Sequence, residues 1–572
     1  MGNDVGGNTS AGGAATGGSS SANPGGGMTS GGVAPATGGK TASSTTTPVL
    51  TGGTPATGGA ATGGNNPATG GNNPATGGKS STGSGVGGSG VGGAATGGST
   101  TLPTGGKSST GTTTTAVGGA ATGGKSSTGG TTAAGGGTTT ATGGSSSGGS
   151  TSVYVGTKTP GTAQTGDITV DPTKIHQIVD GFGEADVWQG SSSTQMQTLL
   201  WDPVNGIGLN LVRIGIESKS GTSVLMGNAG IADGQACKKF SGADCKIWAA
   251  PWSPPAAMKN NNNVNGTGNN TNIAGTADTL KTTSYDAWAS LLAAFPAYYK
   301  QQSGQDLYAI SAQNEPDFDP NYEACVYDKT QMVNFINVLG PKLAALNPPV
   351  KLLAAEPDNW GNMWSGDNYS TAILADAKAN ANVEVMATHD YGGTSAGTWG
   401  RPPPPAGNTH HIWETECTPG DTGPITIATM IYAAFNTGGV NGWHYWWTQA
   451  FIPNVSSPPP QYYALGNFSK YVRPGYYRVD VSGAPAASNT NPGVIAFSSL
   501  KDGTVTIVVV NAATATKSLS FFVGGTAWPA TVTPYETTTS SKLAAGTPIS
   551  LAAGRFSATV AAQSVTTFTG KP

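Results

Sequence analysis

The stretch LYAISAQNEP, residues 307–316, opens on an apolar run and ends with Glu315 set between Asn314 and Pro316. Only 10% of the chain is charged, so a carboxylate at that point needs a reason. An apolar run of this length reads as a strand buried on both faces, the kind found in parallel sheets. Glu315 is then either a polar residue opening a loop or an acid placed at the end of a buried strand.

Seven further segments share this character: IVDGFG (178–183), LNLVRIGIE (209–217), KIWAAPWSPP (246–255), VKLLAAEPDNW (350–360), VEVMATHDY (383–391), THHIWETE (409–416) and GVNGWHYWW (439–447). Helix-like stretches such as 285–302 and 330–346 lie between them. Apolar strands alternating with helices predict a parallel sheet covered on its outside. Eight such units predict an α/β fold of the (β/α)8 TIM-barrel type over 167–470 rather than an open doubly wound sheet. No GxGxxG or GxxxxGK follows the first strand, which argues against a nucleotide cofactor.

Beyond Tyr471 the segments VIAFSSL, TVTIVVVNA, KSLSFFVGG, ATVTPYE and QSVTTFTG alternate and are separated by turn residues. They predict a β-sandwich over 471–572. The early strand DITVDPTK (167–174) belongs to neither the barrel nor the residues before it, and is expected to pair with that sandwich.

Residues 1–152 are almost wholly Gly, Ser, Thr, Ala, Pro and Asn, with PATGG and GGKSSTG repeats. Such a segment cannot bury enough apolar surface to offset chain entropy, which predicts a disordered tether. Its charges (Asp4, Lys40, Lys79, Lys107, Lys125) are too dilute for a polybasic arm. The chain carries a net charge of -3 without a basic stripe, so nucleic acid is not the expected partner. No run is apolar enough to span a membrane, and MGNDVGGNTS lacks the parts of a signal peptide. A Thr/Gly/Ser tether ahead of a globular domain nonetheless predicts an extracellular or surface-tethered protein whose signal has been removed or lies upstream, and a monomer is expected. Cys237 and Cys245 flank a polar turn and suit a local disulfide in an exported protein. Cys325 and Cys417 either lie close in space or remain free buried thiols. No cysteine spacing fits a zinc site, and no metal is expected.

In a (β/α)8 barrel, functional groups project from the C-terminal strand ends. The fourth segment ends in Asn314 and Glu315, the seventh in Glu414, Thr415 and Glu416. Two carboxylates at one barrel mouth are the minimum for hydrolysing a glycosidic bond, one protonating the leaving oxygen and the other attacking the anomeric carbon. Glu414 shares a strand face with Glu416 in a regular strand and is the alternative to it. The chain's 13 tryptophans and 17 tyrosines suit stacking on neutral sugars.

QNEP, with PWSPP (251–255), DGFGEADVW (180–188) and IWETE (412–416), resembles glycoside hydrolase family 30. NFSKYVRPGYYRVD (467–480) resembles the barrel-to-sandwich junction of its xylanase-like branch. The resemblance runs from about residue 167 to the end. It implies a retaining β-glycosidase that needs no cofactor, with Glu315 as acid/base and Glu416 as nucleophile. Asn314 then matches the asparagine that hydrogen-bonds the sugar 2-hydroxyl. Arg213 either holds the nucleophile ionised or pairs with Glu217. His389 and Tyr391 share a face, and Tyr391 either hydrogen-bonds the nucleophile or caps the core. Trp252, Trp446 and Trp188 are candidate sugar platforms, with core packing the alternative. Glu184 and Asp186 are candidates for substrate hydroxyls, Asp186 also for a helix N-cap.

One departure stands out. The branch acting on glucuronate-decorated xylan carries an arginine after the eighth-strand tryptophans, whereas residues 443–454 read WHYWWTQAFIPN. Recognition of a carboxylate favours a bidentate guanidinium, so a neutral glycan fits these residues better. The expected activity is a secreted endo-β-glycanase on a plant cell-wall polysaccharide, β-1,4-xylan first. A β-1,6-galactanase or glucanase, a non-catalytic carbohydrate-binding surface protein, and a cell-wall spacer are the alternatives.

Overall fold

The computed structural model describes residues 154–189, 192–218, 229–269, 275–391 and 398–572. The expected tether over 1–152 lies outside the described residues.

Strand β1 (Ile168–Ile178) precedes eight strands that close into a parallel barrel: β2 (Gly181–Asp186), β3 (Leu211–Ile216), β4 (Lys246–Pro251), β5 (Ala309–Ser311), β6 (Lys351–Ala355), β7 (Val383–His389), β8 (His411–Glu416) and β9 (Gly442–Tyr445). Closure is direct, with Phe182 of β2 opposite Trp443 of β9. Seven of the eight expected segments contain one of these strands whole, while 178–183 reaches only the first half of β2, and the order around the barrel is the order along the chain.

Side-chain alternation explains why the strands read as unbroken apolar runs. Ala185, Leu211, Trp248, Ala309, Leu353, Val385 and Trp413 fill the interior as one cluster. Their neighbours Val212, Ile247, Ile310, Leu352 and Ile412 pack outward beneath the helices. With both faces buried, a polar residue has nowhere cheap to sit within a strand.

Four of the flanking helices are α1 (Thr194–Trp201), α2 (Ala229–Ser241), α3 (Tyr285–Ser303) and α4 (Lys329–Ala344). The buried residues of α3 are Tyr285, Trp288, Ala289, Leu292, Phe295, Tyr299 and Ser303, the stripe a 3.6-residue period lays on one face. Gly304 ends that helix in the left-handed region, at φ 74°. Asp328 and Gln331 form a capping box at the start of α4. Ser193, accepting from the Met196 amide, caps α1; Asp186 is not that cap.

The rest of the chain forms β10 (Tyr476–Ser482), β11 (Gly493–Ser499), β12 (Val505–Asn511), β13 (Lys517–Val523), β14 (Thr531–Thr537), β15 (Ala544–Ala545), β16 (Ile549–Ser550), β17 (Arg555–Val560) and β18 (Ser564–Gly570). With β1 they make a 10-stranded sheet. β1 is central to it, antiparallel to β10 and parallel to β13. The sheet folds over itself: Phe521 of β13 and Phe556 of β17 pack on Phe568 of β18, with centroids 5.7 and 5.5 Å away. Asn467, beyond the barrel's last strand, ties this sheet to the barrel by donating to the Tyr535 carbonyl at 2.9 Å and to Thr567 at 3.0 Å.

Cys237 and Cys245 are disulfide-bonded, and Cys325 and Cys417 are free and buried. Among the described residues, no helix is long and apolar enough to cross a membrane.

Candidate active site

Arg213 is the third residue of β3 and points into the barrel, fully buried. A lone guanidinium there would be prohibitively desolvated, so its partners define the site. Nη1 donates to Oε2 of Glu416. Nη2 donates to Oδ1 of Asn314 at 2.6 Å and lies 3.1 Å from Oε1 of Glu356. The carboxylates against Arg213 are therefore Glu416 and Glu356, rather than the sequence-near Glu217 alone. Its Cζ also lies 4.9 Å from the ring centre of Trp252, 5.3 Å from Trp248 and 5.6 Å from Trp446. Indole faces around a cation stabilise it without adding charge.

Glu416 closes β8 and receives a second donor, the Tyr391 hydroxyl, 2.9 Å from Oε1. Glu315 follows β5 in the left-handed region at φ 45°, a conformation that is costly for a residue with a side chain. Its Oε1 lies 3.2 Å from Nδ1 of His389, at the end of β7. Asn314 Nδ2 lies 3.5 Å from its Oε2. The Gln313 amide fixes this turn by donating to the carbonyls of Trp252 and Asn314 at 2.7 and 2.8 Å.

Burial pushes the Glu315 carboxyl up to about 7; the nearby Glu416 adds to this and the His389 hydrogen bond opposes it. Burial opposes charge on His389, yet Glu416, Glu315 and Glu356 together raise it to about 10. Burial likewise opposes charge on Glu356, but Arg213 and His389 hold it below the usual carboxylate range.

One oxygen each of Glu315 and Glu416 and a ring nitrogen of His389 lie within 4.8 Å of one another, a spacing that admits a metal ion. The Arg213 guanidinium already rests on Glu416, and a divalent cation would face that charge directly. The donor set suits proton transfer and attack by a carboxylate better than metal binding.

Glu315, Glu416, Asn314, Arg213, His389 and Tyr391 thus converge on one point. Trp252 and Trp446 wall it, but with 0% and 4% of their surface exposed they pack around Arg213 rather than offering open ring faces. Trp188, half-buried, meets Trp252 edge to face at 6.0 Å, and is the one of the three with ring surface left for a ligand.

Glu184 does not join them. Strand alternation sends Ala185 and Val187 inward, so Glu184 and Asp186 share the outward face with Phe182. Glu184 is buried there and accepts from the Thr448 hydroxyl. Glu414 is also excluded, against the regular-strand expectation that it shares a face with Glu416. Thr388 and His389 are consecutive in β7, yet pair with Glu414 and Glu416 in β8. Thr415 is the extra residue of a bulge, and a bulge reverses the facing of the residues after it. Glu414 is left among Asp390, Arg401 and Trp443, on the outward side.

Glu356 was missed in the sequence. The signal was present: AEPD (355–358) repeats the Glu-Pro-Asp of NEPD (314–317) at the end of the neighbouring strand.

A closed parallel barrel with two carboxylates at its strand ends, one raised and one paired with arginine, is a glycosidase of the (β/α)8 class. The family model for the glycosyl hydrolase family 30 TIM-barrel domain matches residues 231–400. The family 30 subfamily 8 xylanase Xyn30A from Clostridium acetobutylicum is 30% identical, with a TM-score of 0.60 over 71% of this chain and 100% of that one. Glucuronoxylanase XynC of Bacillus subtilis strain 168 is 27% identical over 434 residues, 73% of this chain and 94% of its own. Endo-1,6-beta-D-glucanase neg1 of Aspergillus fumigatus is 28% identical over 274 residues, 41% of this chain and 54% of its own. The chain belongs to glycoside hydrolase family 30.

Proposed function

We propose that the protein is a retaining endo-β-glycanase acting on β-1,4-xylan, with Glu315 as acid/base and Glu416 as nucleophile. The observation that carries this is the approach of Glu315 and Glu416 oxygens to within 4.8 Å, combined with their opposite surroundings. Retaining enzymes hold their carboxyls about 5–5.5 Å apart, whereas inverting ones need about 6.5–9.5 Å to admit a water.

In the first step, Oε of Glu416 bonds to the anomeric carbon as the bond to the leaving oxygen breaks. Glu315 gives that oxygen its proton. In the second step, Glu315, now a carboxylate, takes a proton from water. The water oxygen attacks the anomeric carbon and releases Glu416. Asn314, held by Arg213, supports the 2-hydroxyl, where a hydrogen bond strengthens as charge develops.

Xylan is favoured by the similarity to proteins named glucuronoxylanase and xylanase. The absence of arginine from residues 443–454 favours the neutral backbone over its glucuronate branches. A β-1,6-glucan is the second reading, favoured by the similarity to neg1. An extracellular setting is supported by the Cys237–Cys245 disulfide.

The test is proton NMR of the first-formed product from a xylan and β-1,6-glucan panel. The β-anomer should appear first and from xylan. An α-anomer first would overturn the mechanism, and release from β-1,6-glucan alone would overturn the substrate.

A further inference from the structure

The ends of β5 and β6 carry the same turn, and this duplication places a third carboxylate in the site. Glu315 and Glu356 are each followed by Pro and Asp, and both adopt left-handed backbone, at φ 45° and 63°. The Glu315 amide donates to the Glu356 carbonyl at 3.0 Å. The Asp358 amide donates to Oδ1 of Asp317, also at 3.0 Å. Two strained turns are therefore locked side by side. Glu356, one strand further round the barrel, reaches the face of Arg213 and His389 away from Glu315.

We propose that Glu356 is a positioning residue, a fixed counter-charge that keeps His389 protonated on both ring nitrogens so that it donates to Glu315 throughout the reaction. This rests on the assignment of Glu315 as acid/base. The fully buried His389 ring has a carboxylate at each nitrogen: Glu315 3.2 Å from Nδ1 and Glu356 3.5 Å from Nε2. A neutral imidazole can donate from only one of them. Two other groups face Nε2: Glu416 at 3.8 Å, which favours a proton there, and Arg213 Nη2 at 3.4 Å, which as a donor only opposes one. The two carboxylates must therefore outweigh the guanidinium. The Tyr391 ring packs edge to face against the imidazole.

Charge balance gives the reason for a third carboxylate. Before reaction, Arg213 and His389 are positive, Glu356 and Glu416 negative, and Glu315 neutral, so the buried cluster sums to zero. After the first step Glu416 is an uncharged ester and Glu315 a carboxylate, and the sum is again zero. Without Glu356, two buried cations would face one carboxylate in each state. His389 is the group able to relieve this by losing a proton, because a buried guanidinium does not deprotonate.

The His389 ring can be followed by NMR in the intact protein, which has five histidines, with the signal assigned by its loss in H389Q. In the unaltered protein His389 should remain doubly protonated from pH 6 to 8.5. In E356Q it should be neutral at pH 7, and the alkaline limb of kcat/KM should move up by about one pH unit as Glu315 loses its cationic neighbour. E356D, which keeps the charge, should keep His389 protonated.

A purely structural role for Glu356 would lower activity without moving either titration. If His389 titrates near its ordinary value in the unaltered protein, or stays protonated in E356Q, or turns neutral in E356D, the proposal is overturned. If E356Q does not fold, the unaltered protein and E356D decide. None of the NMR readouts needs turnover, so failure of the acid/base assignment would show separately, in the product stereochemistry.

Discussion

Tyr391 donates its hydroxyl to Oε1 of Glu416 at 2.9 Å, while Arg213 holds Oε2 of the same carboxylate. With one donor on each oxygen, the plane of the group that must attack is fixed. A hydrogen bond to a charged partner is worth roughly 1.5–3 kcal/mol. Tyr391→Phe should therefore lower the melting temperature by several degrees and, by letting the attacking carboxylate turn out of line, lower kcat by about 10- to 100-fold. Steady-state kinetics with parallel thermal denaturation checks this, and unaltered kcat would remove Tyr391 from the mechanism.

The two glutamates should fail differently. Glu416→Ala should lose on the order of 10⁴-fold or more on every substrate, with azide restoring turnover to an α-linked azide product. Glu315→Ala should keep its first step on aryl glycosides with good leaving groups, which need little protonation. Glu414, behind the barrel wall, should tolerate Gln without comparable loss. An inactive Glu414→Gln beside an active Glu416→Gln would reverse the assignment.

The rate should fall with rising pH because of Glu315. Its acid form is the one required, and its carboxyl is raised to about 7. The protonated fraction then drops tenfold per pH unit above that value, so kcat/KM should bend downward near pH 7. On an activated aryl glycoside, Glu315→Gln should abolish this limb. A limb that persists in the variant belongs to another group.

Glucuronate decoration should matter little. Hydrolysis of undecorated and glucuronate-bearing xylans should agree within about threefold, because no arginine in 443–454 is available for a bidentate contact. A preference for decorated xylan above about tenfold, roughly 1.4 kcal/mol, would require a carboxylate site elsewhere.

The barrel should not survive removal of the strands beyond it. β1 precedes the barrel, and among the described residues its strand partners are β10 and β13, both later in the chain. Truncation after Arg473 strands β1, uncovers Phe435 by removing Phe497 at 5.7 Å, and should give insoluble protein. A soluble, active product of this truncation would show that the barrel is self-sufficient.

Much of the architecture was legible because periodicity reports burial. Strands buried on both faces cannot hide, and eight apolar runs separated by helices leave few topologies. The C-terminal region was legible in part: β11 and β12 announce themselves by Val and Ile. The half-buried β10, partly buried along most of its length, and β17, whose alternating RFSATV buries only Phe556 and Val560 fully, carry no comparable apolar run.

The sequence by itself determined the barrel and the strand ends that supply Glu315 and Glu416, since an acid after a buried apolar run is a local fact. Tertiary structure alone decided which acids meet. The bulge at Thr415 turned Glu414 away, and β2's own alternation sent Glu184 outward. Closure of the barrel brought Glu356 to Arg213 and His389 across gaps of 143 and 33 residues in sequence. Those outcomes depend on the register and facing of neighbouring strands, which pairing fixes only after the sheet has closed.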